Sequence, residues 1–177
     1  AVRDAGLELS GYCRGGMFPA VNQAGLKAAL DDNRRAVDEA CELNAPCLIL
    51  VVGAAGSGKS TTIASMIDHR NELVTGHVLT VEDPIEFLFR NKKSIINQRE
   101  IGSDARTLQA ALRSAMRQAP DVIFIGEIRD RDTMSAAIAY SMSGHLVVAT
   151  LHATNSSHAL NRVISFYPPE TRQALFQ

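Results

Sequence analysis

The sequence predicts an α/β fold, a three-layer domain of the phosphate-loop type with a mainly parallel sheet. An N-terminal βαβ unit is expected to join that same sheet. Three observations carry this expectation. Apolar runs such as Cys47–Val52 and Val122–Ile125 read as strands buried on both faces. Amphipathic stretches at helical spacing alternate with them. A glycine-rich turn ending in Lys59-Ser60 joins one apolar run to one helix. Strands alternating with helices imply right-handed crossovers.

The elements follow in order. Leu7–Tyr12 reads as a short strand, and Arg14–Pro19 as a loop by its glycines and proline. A helix is expected from Gln23 to Leu43, with Leu26, Leu30, Val37, Ala40 and Cys41 inward and a charged, solvated outer face. Pro46 stops it, since proline cannot continue a helix. Cys47–Val52 is the next strand. A helix over Lys59–Asp68, a strand over His77–Val81 and a short strand over Ser94–Asn97 follow. Asp104–Gln118 is helical, with Leu108, Ala111, Leu112, Ala115 and Met116 inward. Then come a strand at Val122–Ile125, a helix at Thr133–Met142, a strand at His145–Leu151 and a last helix at Ser156–Ile164. There is no internal repeat and no low-complexity segment.

The 177 residues, 46% of them hydrophobic, suffice for one core, so residues 1–177 are expected to form a single α/β domain. With 18 basic and 19 acidic residues the net charge is −1, which gives no electrostatic reason to expect nucleic acid as a partner. Cys13, Cys41 and Cys47 are an odd, unpaired set that fits a reducing compartment. No apolar run approaches the roughly 20 residues needed to span a bilayer. No signal peptide precedes the fold either, so a cytoplasmic location without membrane insertion is expected. The chain begins with Ala1 rather than Met, which fits a piece of a longer protein.

The chemistry starts at Gly53-Ala54-Ala55-Gly56-Ser57-Gly58-Lys59-Ser60, which matches G-x-x-x-x-G-K-[ST] between a strand and a helix. Glycines let the backbone curl so that N–H groups, including those of Ala55 and Ser57, point at phosphate oxygens. The helix adds its positive end. Lys59 supplies a point charge to the outer phosphates, and the Ser60 hydroxyl can ligate Mg²⁺. Thr61 either touches an outer phosphate or is an ordinary first-turn helix residue. Gly53, Ala55, Gly56, Ser57, Gly58, Lys59, Ser60 and Thr61 are therefore the candidate ATP-binding residues, with Ser60 the metal ligand. Glu127 follows the apolar strand Val122–Ile125, where open α/β sheets place ligand chemistry, and can orient or deprotonate water. Many phosphate-loop enzymes carry an Asp one position earlier. Here that position is Gly126, so Mg²⁺ is expected on Ser60, phosphates and water.

From Gly53 onward the chain resembles the core ATPase domain of type IV pilus retraction ATPases, members of the type II/type IV secretion ATPase superfamily. Four ordered motifs carry the resemblance. After the phosphate loop, Thr80-Val81-Glu82-Asp83-Pro84-Ile85-Glu86 resembles the family's acidic "Asp box". Val122–Asp130 resembles its Walker B strand, and Gly144-His145-Leu146 with Thr150-Leu151-His152 its "His box". The resemblance implies Glu127 as the catalytic carboxylate, Glu82 in water or metal positioning and His152 as a γ-phosphate sensor. Asp83 and Glu86 are expected to be structural, and His69 and His158 ordinary. Arg129 and Arg131 could act across a subunit boundary, and Arg113 and Arg117 face a partner or an acidic side chain. The family works as ring hexamers whose separate N-terminal domain supplies arginines to the neighbouring site.

The first 52 residues do not fit that N-terminal domain. Leu9–Pro19 and Ala29–Ala40 instead resemble a strand–helix–strand unit of xylose-isomerase-like TIM-barrel sugar phosphate isomerases/epimerases. Two readings follow: an artificial chimera, with a TIM-barrel piece grafted onto a phosphate-loop core, or a natural ATPase with a divergent N-terminus. Three functions follow as expectations. One is an ATPase motor core whose hydrolysis is slow in isolation, because the trans arginines have no counterpart. The second is an engineered scaffold that binds nucleotide or phosphate without turnover. The third is an isomerase fragment, for which only the first 52 residues speak.

Overall fold

The computed structural model describes residues 12–15, 23–42, 47–51, 59–153 and 156–172. Within them the elements are β1 (Tyr12–Gly15), α1 (Gln23–Glu42), β2 (Cys47–Val51), α2 (Lys59–Leu73), β3 (Gly76–Glu82), β4 (Ser94–Glu100), α3 (Leu108–Ala115), β5 (Val122–Ile125), α4 (Arg131–Met142), β6 (Leu146–Ala149), α5 (Ser156–Ser165) and α6 (Pro169–Arg172). All six strands are parallel, in the order β1-β2-β6-β5-β3-β4.

Handedness explains which face each helix covers. The steps β1→β2 and β2→β3 move across the sheet in one direction, whereas β4→β5 and β5→β6 move back. Right-handed crossovers in opposite directions use opposite faces. Accordingly α1 packs beside α2 on one face, and α3 packs against α4 on the other. Successive strand residues point to alternate faces. Thus Val122 and Phe124 of β5 join Ile63, Met66 and Ile67 of α2, while Ile123 and Ile125 join Leu112 of α3 and Met134 of α4. Apolar demand on both faces is why these strands read as unbroken hydrophobic runs.

The expected parallel βαβ start is present, and its first strand runs past the expected end at Tyr12 to Gly15. Arg14 and Gly15, expected in a loop, are paired with Leu50 and Val51. Edge pairing supplies backbone hydrogen bonds whatever the side-chain preference, and glycine is tolerated at a strand end. Leu7–Gly11 and Val52 lie outside the described residues. The second helix runs on to Leu73, past the expected end at Asp68. There the buried Asn71 side chain ties it to the β3–β4 connection: Nδ2 donates to the Arg90 carbonyl at 2.7 Å, and Oδ1 accepts from Lys92 N–H at 3.1 Å and Ser94 N–H at 3.3 Å. The third helix starts at Leu108 rather than Asp104, because Asp104 is used by the preceding strand, accepting from Glu100 N–H at 2.8 Å. Thr107 is the actual cap, accepting from Ala110 N–H at 3.1 Å. The helix closes in a 3-10 turn, Met116–Gln118, followed by Ala119 at φ 44°. β4 extends to Glu100 through polar residues because every position is paired with β3. The last strand is shorter than expected: His145 and Thr150 flank it. No helix among the described residues is long and apolar enough to cross a membrane.

Candidate functional site

In a parallel sheet all carboxyl ends lie at one edge, and ligands gather there. A cleft of about 590 Å³ occupies that edge. Ser60 and Thr61 line it from the first turn of α2, Glu82 and Asp83 from the end of β3, Glu127 from beyond β5, and His152 from beyond β6. Gly53, Ala55, Gly56, Ser57 and Gly58, in the connection from β2 to α2, lie outside the described residues. Lys59 is the first residue of α2.

Glu127 belongs to the segment between β5 and α4, residues 126–130, whose backbone is held at three points. Gly126 N–H donates to the Val81 carbonyl at 2.8 Å, and Ile128 N–H to the Thr150 carbonyl at 2.9 Å. Asp130 then caps α4, accepting from Thr133 N–H at 2.8 Å. The Thr150 hydroxyl also donates to the Gly126 carbonyl. Ile128 points into the core, so Glu127 and Arg129, two residues apart, share the cleft side.

The Glu127 carboxylate is engaged at both oxygens. Oε2 accepts from Arg129 Nε at 2.7 Å, and Oε1 lies 3.0 Å from His152 Nε2. Arg129 continues to Asp83, with Nη1 at 3.5 Å from Oδ2. These contacts, the hydrogen bond to Glu127 foremost, raise the guanidinium pKa above its ordinary value, so Arg129 is a fixed positive charge. Glu82 is buried and accepts at Oε1 from the Thr80 hydroxyl at 2.7 Å and from Gln98 Nε2 at 3.3 Å. Glu82 lines the cleft together with Gly126.

Gly126 explains the missing Walker-type aspartate. A Cβ there would meet Glu82 Cα at 3.2 Å and the Val81 carbonyl oxygen at 3.3 Å. The end of β3 approaches so closely that a side chain at 126 would need the β3 backbone to give by a few tenths of an ångström, and Glu82 lines the cleft beside it.

The structure thus gathers Ser60, Thr61, Glu82, Glu127 and His152 into one cleft. Asp83, expected to be structural, lines it too and pairs with Arg129. Arg129 contacts Glu127 and Asp83 of its own chain, and the Arg131 guanidinium sits 5.6 Å from the centre of the Tyr167 ring. His145 is at the opposite end of β6, where Nδ1 lies 3.1 Å from both the Tyr140 carbonyl and the Ser143 hydroxyl, a local fastening. His69 Nε2 lies 4.0 Å from Asp38. Arg113 and Arg117 are exposed, and Arg113 is close enough to the Tyr140 hydroxyl to bias its ionisation. The sequence alone does not reveal the contacts that Thr80 and Gln98 make with Glu82, or those of Arg129 with Glu127 and Asp83. The spacing of Thr80 and Glu82 on one strand face was a usable signal. Gln98 had none, because it reaches Glu82 only through the β3–β4 register that sets it opposite Thr80.

The residues fit Mg²⁺ delivered with a nucleotide. Ser60 offers a hydroxyl, and Glu82, Asp83, Glu86 and Glu127 surround the same space with carboxylates. Among the described residues no group of three His, Cys, Asp or Glu side chains could hold a metal ion by itself.

A profile of the Type II/IV secretion system protein family matches residues 20–169. The type IV pilus ATPase PilU of Pseudomonas aeruginosa is 50% identical over 123 residues, 70% of this chain and 32% of that protein. The type IV pilus retraction ATPase PilT of the same organism is 46% identical over 125 residues, 71% of this chain and 36% of the relative. The chain therefore spans about a third of the length of these relatives. Among solved structures, the pilus retraction motor PilT with bound ADP superposes with a TM-score of 0.69 at 48% identity, covering 71% of this chain and 37% of that one. The Legionella pneumophila ATPase DotB gives 0.67 at 34% identity, covering 71% and 36%. With the profile spanning most of its residues, the chain belongs to the Type II/IV secretion system protein family.

Proposed function

We propose that this chain is an ATPase core that binds Mg-ATP at residues 53–61 and hydrolyses it slowly in isolation. The observation that carries the reading is Glu127, a half-buried carboxylate at the carboxyl edge of the sheet, in one cleft with Ser60, Thr61, Glu82 and His152. Lys59 and the loop N–H groups would bind the phosphates, and Ser60 with the phosphates would hold Mg²⁺. That ion supplies charge neutralisation on the transferring phosphoryl group. Glu127 orients a water and accepts its proton as the water oxygen bonds to the γ-phosphorus and the bridge to ADP breaks. Glu82 would position water or metal, and His152, within reach of Glu127, would report on the γ-phosphate.

Turnover is slow in this reading because cations beyond Lys59 and Mg²⁺ are needed, and an arginine supplied by a neighbour is worth about 10³–10⁵ in rate. Copies of the chain that associate would help complete the site. A cytoplasmic location goes with the ATP the site would consume. PilT and PilU carry pilus and ATPase in their names, and a place in a pilus or secretion motor follows for this chain as a proposal.

Steady-state phosphate release across protein concentration tests the reading. Expected is a slow, Mg²⁺-dependent rate abolished by Glu127→Gln. Release that survives Glu127→Gln would refute the assignment. ATP binding with no release at any concentration would favour a nucleotide-binding scaffold.

A graft of TIM-barrel origin in residues 1–52 is the second reading. It is supported by the parallel β1–α1–β2 unit at the sheet edge. The family profile starts at residue 20, which favours native origin for α1 and β2. An isomerase site has no ligand cluster among the described residues to rest on.

A further inference from the structure

We propose that Arg129 is a positioning residue that orients Glu127 and transmits the placement of the Asp83 turn to it; this rests on the ATPase reading above. Three observations support it. Arg129 Nε donates to Glu127 Oε2 at 2.7 Å, shorter than the 3.0 Å contact the same carboxylate makes with His152. The same guanidinium reaches Asp83 Oδ2 at 3.5 Å, so one planar group spans the acidic turn after β3 and the carboxylate after β5. The backbone beneath Glu127 and Arg129 is held at Gly126, Ile128 and Asp130, so Glu127 can change its aim only through side-chain torsions.

A carboxylate that must receive a proton from water needs a fixed direction, because small misplacements of a reacting group are costly. His152 alone leaves Glu127 free to pivot about a single contact. Arg129 adds a second, and the side chain cannot lose its charge. Its fork donates to two acids at once, which a lysine ammonium on a flexible stem cannot do with the same geometry. Arg129 itself is 61% exposed at the rim, whereas Glu127 is 22% exposed, so the arginine reports on the rim while the carboxylate faces inward.

The test uses the full chain with Arg129→Ala, Arg129→Lys, Asp83→Asn and the Asp83→Asn/Arg129→Ala double variant. ATP affinity is read by calorimetry and kcat by phosphate release under saturating Mg-ATP. Expected for Arg129→Ala is unchanged affinity with kcat down roughly 10- to 100-fold, and for Arg129→Lys an intermediate loss. Asp83→Asn alone should lower kcat about two- to fivefold, as for an exposed ion pair, and should have no further effect once Arg129 is alanine. Unchanged kcat in Arg129→Ala, a parallel loss of ATP affinity, or an undiminished Asp83→Asn effect in the double variant would each overturn the proposal. Should Arg129→Ala not fold, Arg129→Lys with and without Asp83→Asn decides the same question. A wild-type chain that binds ATP but releases no phosphate would overturn the ATPase reading and this one with it. Wild-type turnover with an insensitive Arg129 would overturn only this one.

Discussion

Replacing Gly126 with alanine would put a Cβ 3.2 Å from Glu82 Cα and 3.3 Å from the Val81 carbonyl oxygen. Both neighbours are backbone, so neither can rotate away as a flexible side chain would. Gly126 N–H also donates to that same Val81 oxygen at 2.8 Å, which holds the two segments together. The methyl therefore has to lengthen this bond or push the end of β3 outward by a few tenths of an ångström. Overpacking of this kind costs about 1–3 kcal/mol. For a chain of this size each kcal/mol moves Tm by about 2–4 °C, so the fall should be roughly 2–12 °C. The displaced residue is Glu82, which lines the cleft, so ATP turnover should fall more than thermal stability alone explains. Circular-dichroism melting and phosphate release on the same sample measure both. A Gly126→Ala variant with unchanged Tm and unchanged turnover would refute the close approach as the reason for glycine here. Gly126→Asp should do worse than alanine rather than supply a metal ligand.

Asn71→Ala should destabilise the chain by roughly 1–3 kcal/mol in urea unfolding, because it removes a buried side chain and leaves the buried Ser94 N–H, with the part-buried Arg90 carbonyl and Lys92 N–H, without their partner. A loss under about 0.5 kcal/mol, the level of an ordinary surface change, would contradict this. Tyr140 is held above its ordinary pKa chiefly by burial, with Arg113 opposing. A raised folded-state value means the stability it confers is full below the unfolded value near 10.0 and is lost as pH rises through the folded value. Tyr140→Phe should therefore flatten the fall in stability above that pH, and identical alkaline slopes in both proteins would contradict the assignment.

The parts of the fold and site readable in the sequence share a physical feature: their signal is local. Val122–Ile125 matches residue for residue because burial on both faces demands apolar side chains at consecutive positions. Glu127 was readable because it closely follows such a strand. Boundaries failed where a distant contact decides them. Arg14 and Gly15 are strand because β2 pairs with them, and α2 continues to Leu73 because the β3–β4 connection anchors at Asn71. Gln98 beside Glu82, and Arg129 reaching Asp83, both depend on strand order and register. The glycine at 126 was legible as a departure from an aspartate, but its reason lies in the backbone of β3, distant in sequence and adjacent in the sheet.

Nucleotide binding at the phosphate loop is tested most directly by calorimetric titration of the chain with ATP and Mg²⁺, repeated with Lys59→Ala. One ATP per chain is predicted for the wild type. In the variant, losing a charge-assisted contact worth about 1.5–3 kcal/mol should weaken binding at least tenfold, with the melting curve unchanged. Equal ATP affinity in the two proteins would contradict the assignment of Lys59 to the phosphates and, with it, the ATPase reading.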